Sequence, residues 1–178
     1  MSTTPSYSWS DRFLALFDQC VKKFEGGNTD FNTYYSADDL AFLKGIGYKP
    51  REFFDFVEDC QGYGDPTPGT SLLIAAVRRD YLKVVQHGQL STHEVKTSEL
   101  PAKTAEVDGI AWLPRIIVKA RAKLHGEMEP DLMYGCGGDR RFLKEYDLHP
   151  ADFLRTVWAA GDDDARIIEY VKSRGKSC

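Results

Sequence analysis

Apolar residues recur at helical spacing along most of the chain. Phe13, Leu16, Phe17, Cys20 and Phe24 follow one another at steps of three and four, the period that gathers side chains on one helix face. Ile116, Ile117, Ala120 and Leu124 repeat the pattern about a hundred residues later. Two further stripes, Phe53-Phe54-Val57 and Phe153-Leu154-Val157, begin just after Pro50 and Pro150. Proline suits a first helical turn, where its missing N–H would have no partner anyway. A last amphipathic pair runs through Leu73, Ala76, Val77 and Tyr81, and through Ile167, Ile168, Tyr170 and Val171. Asp162 to Asp164 precede the second of these, where acids complement a helix N-terminus. "STHEVKTSEL" is open to an extended reading, but no alternating run is long enough to predict a strand. The pattern predicts an all-α fold.

The stripes come in matched sets. Displaced by 100 positions, "YYSADDLAFLKGIGYKPREFFDFV" falls on "YGCGGDRRFLKEYDLHPADFLRTV" with eight identities: Tyr34/Tyr134, Asp39/Asp139, Phe42-Leu43-Lys44/Phe142-Leu143-Lys144, Pro50/Pro150, Phe53/Phe153 and Val57/Val157. Average residue usage gives about one or two in such a window, so the sequence reads as a tandem duplication. The register slips by three near Trp9 and Trp112, and the loop "QGYGDPTPG" occurs only in the first copy. The expected organisation is two degenerate four-helix repeats, 1–87 and 109–178, with a polar linker over 88–108. Short helices with broad apolar faces need covering, so the repeats are expected to pack about a pseudo-two-fold axis.

The second half, through Leu113-Pro114-Arg115, Lys119, Ala120-Arg121-Ala122, Gly126, Tyr134, Cys136, Asp139 and the Phe153 helix, resembles the bacterial domain-of-unknown-function family 5069. The similarity covers roughly residues 108–174 and reaches the first half only faintly, through the duplication. It implies a helical fold and brings no reaction with it. Gly137-Gly138 departs from the less glycine-rich pair usual in the family.

Two clusters carry candidate chemistry. In Tyr134-Gly135-Cys136-Gly137-Gly138-Asp139-Arg140 a cysteine and glycines precede a helix. Glycines permit an inward-turned nest of N–H groups, a helix start attracts anions, and a thiol so placed can have a lowered pKa. Alternatively, the glycines only shape a turn, Cys136 packs as a small side chain and Asp139 caps the helix. The sister copy reads Ser36-Ala37-Asp38-Asp39 in this frame, so both Asp39 and Asp139 are expected to be caps, and a special function can reside only in Cys136-Gly137-Gly138. The second cluster is basic: Arg115, Lys119 and Lys123 lie at four-residue steps. A solvated helix face is the ordinary reading; the sharper one brings Arg115 and Lys119 to Cys136 and Asp139 as an anion pocket or ion-pair network. The ligand-binding candidates are therefore Cys136, Gly137, Gly138, Asp139, Arg140, Arg115, Lys119 and Tyr134, and Tyr63 in the unmatched loop is the candidate partner contact.

Composition narrows the functional classes. A net charge of -4, together with acids such as Glu52, Asp55 and Asp152 on the would-be recognition helices, opposes a nucleic-acid reader. The start "MSTTPSYSWSDR" lacks the basic flank and apolar stretch of a secretory signal, and no apolar run approaches a membrane span. A cytoplasmic protein with free Cys20, Cys60, Cys136 and Cys178 is expected. No H-E-x-x-H, C-x-x-C, G-x-S-x-G, Walker or dinucleotide pattern occurs, so neither metal nor cofactor is called for. His149, beside Pro150, is expected to be a solvent-facing turn residue. The leading expectation is a non-catalytic interaction or assembly-subunit protein, with a protein partner or homo-oligomer. The alternative is a small-anion-binding thiol enzyme or sensor using Cys136.

Overall fold

The structure, a computed structural model, describes residues 8–175. Eight α-helices make up most of it: α1 Trp9–Glu25, α2 Ala37–Gly45, α3 Pro50–Tyr63, α4 Pro68–Val84, α5 Leu113–His125, α6 Gly137–Glu145, α7 Pro150–Ala160 and α8 Asp164–Arg174. The predicted all-α class holds. Both α2 and α6 and the starts of α3 and α7 lie one hundred residues apart. Pro50 and Pro150 each occupy a first turn, and Asp163 caps α8 by accepting from the Arg166 N–H. His149 also caps: its Nδ1 accepts from the Ala151 N–H at 3.1 Å, and the residue is half-buried. Among the described residues no helix is long and apolar enough to cross a membrane.

The chain divides into two compact units between Ala75 and Ala76, within α4. In the first, α1 packs on α3 through an aromatic core. Phe13 meets Phe53 edge-on at 5.0 Å between centroids, and Tyr34 meets Phe54 at 5.2 Å. All four rings are at most 1 % exposed. Cys20 is buried among them, and burial pushes its thiol up to about 12.

In the second unit α7 packs between α5 and α8, burying Ile116, Ile117, Ala120, Leu124, Phe153, Leu154, Val157, Ile167 and Val171. The end of α4 contributes Arg78, fully buried, whose Nη1 donates to Leu124 O at 2.8 Å. That places a cation where the dipole of α5 is negative. Gly126 ends α5 at φ 72°, and a Cβ there would lie 2.4 Å from Arg78 Nη2. Glycine is required on both counts.

The segment read as a polar linker lies in this unit too. Val95 forms a parallel bridge with Met128, a 3-10 turn follows at Thr97–Glu99, and Leu100 is buried. The strands β1 Glu106–Val107 and β2 Ile110–Ala111 then pair as a hairpin. Asp108 and Gly109 turn it, both at positive φ, as two-residue hairpin loops require.

Candidate functional site

The basic face of α5 is not solvated. Arg115, Lys119 and Lys123 are 9 %, 2 % and 1 % exposed, which corrects the ordinary reading of the charge spacing. A buried cation persists only with polar partners, and these come from segments distant in sequence. The Lys119 ammonium pairs with Asp139 Oδ2 at 2.5 Å and donates to Cys136 Sγ at 3.1 Å. The Arg115 guanidinium donates from Nη1 to Pro101 O at 2.7 Å. Arg121, on the neighbouring face, pairs with Asp164 instead.

Asp139 is the centre of this arrangement. Fully buried, it accepts from Trp112 Nε1 at 2.9 Å, from the Gly135 N–H at 2.9 Å and from Lys119. It does not cap α6 in the manner expected; Cys136 is the N-cap residue and makes no side-chain cap bond. The aligned Asp39 does perform that role, in a reciprocal box with Ser36: the Ser36 N–H donates to Asp39 Oδ2 and the Asp39 N–H to Ser36 Oγ. One aligned letter therefore serves two purposes, because Trp112 and Lys119 reach only the second.

Trp112 also accounts for a glycine. The residue sits at φ 71°, a region bulky side chains seldom adopt, and this directs the indole over the first turn of α6. A Cβ on Gly138 would lie 2.4 Å from Trp112 Cζ2, whereas one on Gly137 would meet only Arg140 Nη2 at 3.9 Å. Gly138 is thus dictated by the indole and Gly137 is not.

A pocket of about 450 Å³ opens beside this network. Of the predicted residues, Arg115, Lys119, Cys136 and Gly138 line it. Asp139 stands behind Lys119 and Trp112, bonded to both. Arg140 folds back to donate to Gly135 O at 2.8 Å. Tyr134 is buried and donates to Pro150 O at 2.8 Å; burial, and then Asp139, hold its hydroxyl well above the usual tyrosine range. In the first unit the equivalent bond to Pro50 O comes from Tyr35, not from the aligned Tyr34.

Lining residues that the sequence reading left out are Lys103, Arg141, Asp131, Thr97, Trp112, Leu132 and Met133. Arg140 and Arg141 are adjacent in the sequence, and nothing local shows which of the two faces the pocket. Arg115, Arg141 and Lys103 have no carboxylate at ion-pair distance among the described residues. Cys20, Cys60 and Cys136 are free thiols, and Cys178 lies outside the described residues. Among the described residues no group of three or more His, Cys, Asp or Glu side chains is placed to hold a metal.

Residues 98–178 match the model of a domain of unknown function, DUF5069. The whole pocket apart from Thr97 falls inside the match. The match begins before the hairpin, so the DUF5069 segment includes part of the stretch read as linker; the kinship of the first half rests on the internal alignment alone. No curated protein and no solved structure matches the chain significantly.

Proposed function

We propose that the DUF5069 segment binds a small anion in the Arg115–Cys136 pocket, with the Cys136 thiol at its wall. The observation that carries this is Arg115. It is a guanidinium 9 % exposed, lining a 450 Å³ pocket, with one hydrogen bond to a carbonyl, the Trp112 ring 5.8 Å away and no carboxylate at ion-pair distance among the described residues. A buried charge of one sign without its opposite is costly, and a bound anion supplies the opposite. Arg141 and Lys103 add positive charge, while Lys119 is already neutralised by Asp139 and serves to hold the Cys136 sulfur. The sulfur is thereby fixed next to the site where an anionic reactant or modifier would sit.

The test is titration of the protein with inorganic phosphate and with sulfate, followed by backbone amide NMR. Saturable shifts confined to Arg115, Cys136, Gly138 and Arg141, and lost in Arg115→Gln, are expected. Absence of saturable shifts, or shifts unchanged in the variant, would count against the reading. A second reading concerns the first unit, where Tyr63 at the end of α3 is 76 % exposed. An aromatic in that position suits a protein contact, and Tyr63→Ser should weaken any self-association or partner binding seen in sedimentation.

A further inference from the structure

The cations occupy only part of the pocket. Part of the remaining wall is apolar: the Trp112 indole, Leu132 and Met133. Leu132 is buried and Trp112 is half-buried, held by its bond to Asp139 and by contact with Gly138. A volume of about 450 Å³ falls in the range of about 300–1,000 Å³ typical of pockets for organic ligands. An inorganic anion would fill a small part of it and leave the accessible parts of the indole and of Met133 facing water.

We infer that the pocket's ligand is an amphipathic organic anion: a carboxylate held by Arg115 and Arg141, carrying a flat apolar or aromatic body that packs on Trp112 and Leu132. This rests on the anion reading of the same pocket and adds the body of the ligand to its charge. A guanidinium presents a planar fork that matches a carboxylate with two parallel hydrogen bonds, and Arg115 uses one donor on Pro101 O, leaving the others. The Arg115 guanidinium lies over the Trp112 ring, 5.8 Å from its centroid, so a carboxylate on Arg115 brings the ligand's body beside the indole, where a ring gains aromatic contact. Asp131 also lines the pocket; its charge favours a monoanion over a more highly charged ligand.

Binding of acetate, benzoate and benzamide to the full chain, measured calorimetrically at one ionic strength, tests this. Benzoate is expected to bind at least about tenfold more tightly than acetate, and benzamide at least about tenfold more weakly than benzoate. Arg115→Gln should abolish benzoate binding; should that variant not fold, exposed Arg141→Gln should weaken it several-fold. Equal binding of acetate and benzoate would overturn the amphipathic ligand and leave the anion site intact. Equal binding of benzamide and benzoate would overturn both, as would no binding by either carboxylate.

Discussion

Replacing Asp39 and Asp139 with alanine, one at a time, separates two roles that the aligned sequence makes look the same. Asp39→Ala removes the carboxylate that accepts from the Ser36 N–H at an accessible helix start, while Ser36 Oγ can still accept from residue 39. The expected loss is about 0.5–1 kcal/mol. Asp139→Ala removes the acceptor of three donors, two of them buried, and strands the Lys119 ammonium, 2 % exposed. Breaking a buried pair in this way costs about 3–5 kcal/mol. The assay is urea denaturation at neutral pH followed by far-UV circular dichroism and by tryptophan emission, since Trp112 and Trp158 both report on the second unit. Adding Lys119→Met to Asp139→Ala should recover at least about 1 kcal/mol, because the stranded charge is then gone. The reasoning fails if the two alanine variants lose stability to within about 0.5 kcal/mol of each other, or if the second substitution at Lys119 adds a further loss.

The glycines before α6 should behave oppositely. Gly138→Ala drives a methyl into the indole and should cost about 1–3 kcal/mol while shifting tryptophan emission, whereas Gly137→Ala, in open space within the helix, should be neutral or stabilising by about 0.5–1 kcal/mol; the same denaturation series checks both. In the first unit, burial lifts the Asp55 carboxyl to about 7, with Arg51 pulling it down, against about 3.9 in the unfolded chain. Between about pH 4 and 7 the folded state therefore keeps a proton that the unfolded state has released, and stability falls as pH rises through that window. Asp55→Asn should flatten this slope and be the more stable protein at pH 8, by an amount on the order of 1–3 kcal/mol; an unchanged slope would show that Asp55 ionises freely.

Six of the helices were legible from local periodicity, helped by proline or acid near their starts; α2 and α6 carry no such stripe in the sequence and showed only through the aligned Phe-Leu-Lys segments. The hairpin was missed although Asp108-Gly109 is a short-range turn signal: its strands are two residues each, too brief for alternation to show. The basic face of α5 was misread for a different reason. Charges at four-residue steps look solvated until their partners are known, and these lie 14 residues before Arg115 and 20 after Lys119. Gly138 is equally opaque locally, since the ring that forbids a Cβ belongs to Trp112, on the far side of α5 in sequence. Comparison with the aligned first-half segment did narrow attention to Cys136-Gly137-Gly138. The structure divides that triplet into a thiol held by Lys119, a tolerant position, and a contact with the indole.

The most direct test of an anion-attracting pocket around Cys136 is the ratio of its alkylation rates with anionic iodoacetate and neutral iodoacetamide, read site by site by mass spectrometry. A cationic cleft concentrates the anionic reagent, so the ratio at Cys136 should exceed that of free cysteine several-fold. It should fall with added salt, and it should drop in Arg115→Gln and Arg141→Gln. Cys20, buried and with its thiol pushed up to about 12, should stay unlabelled as the internal reference. A ratio at Cys136 equal to or below that of free cysteine, insensitive to both arginines, would contradict the account.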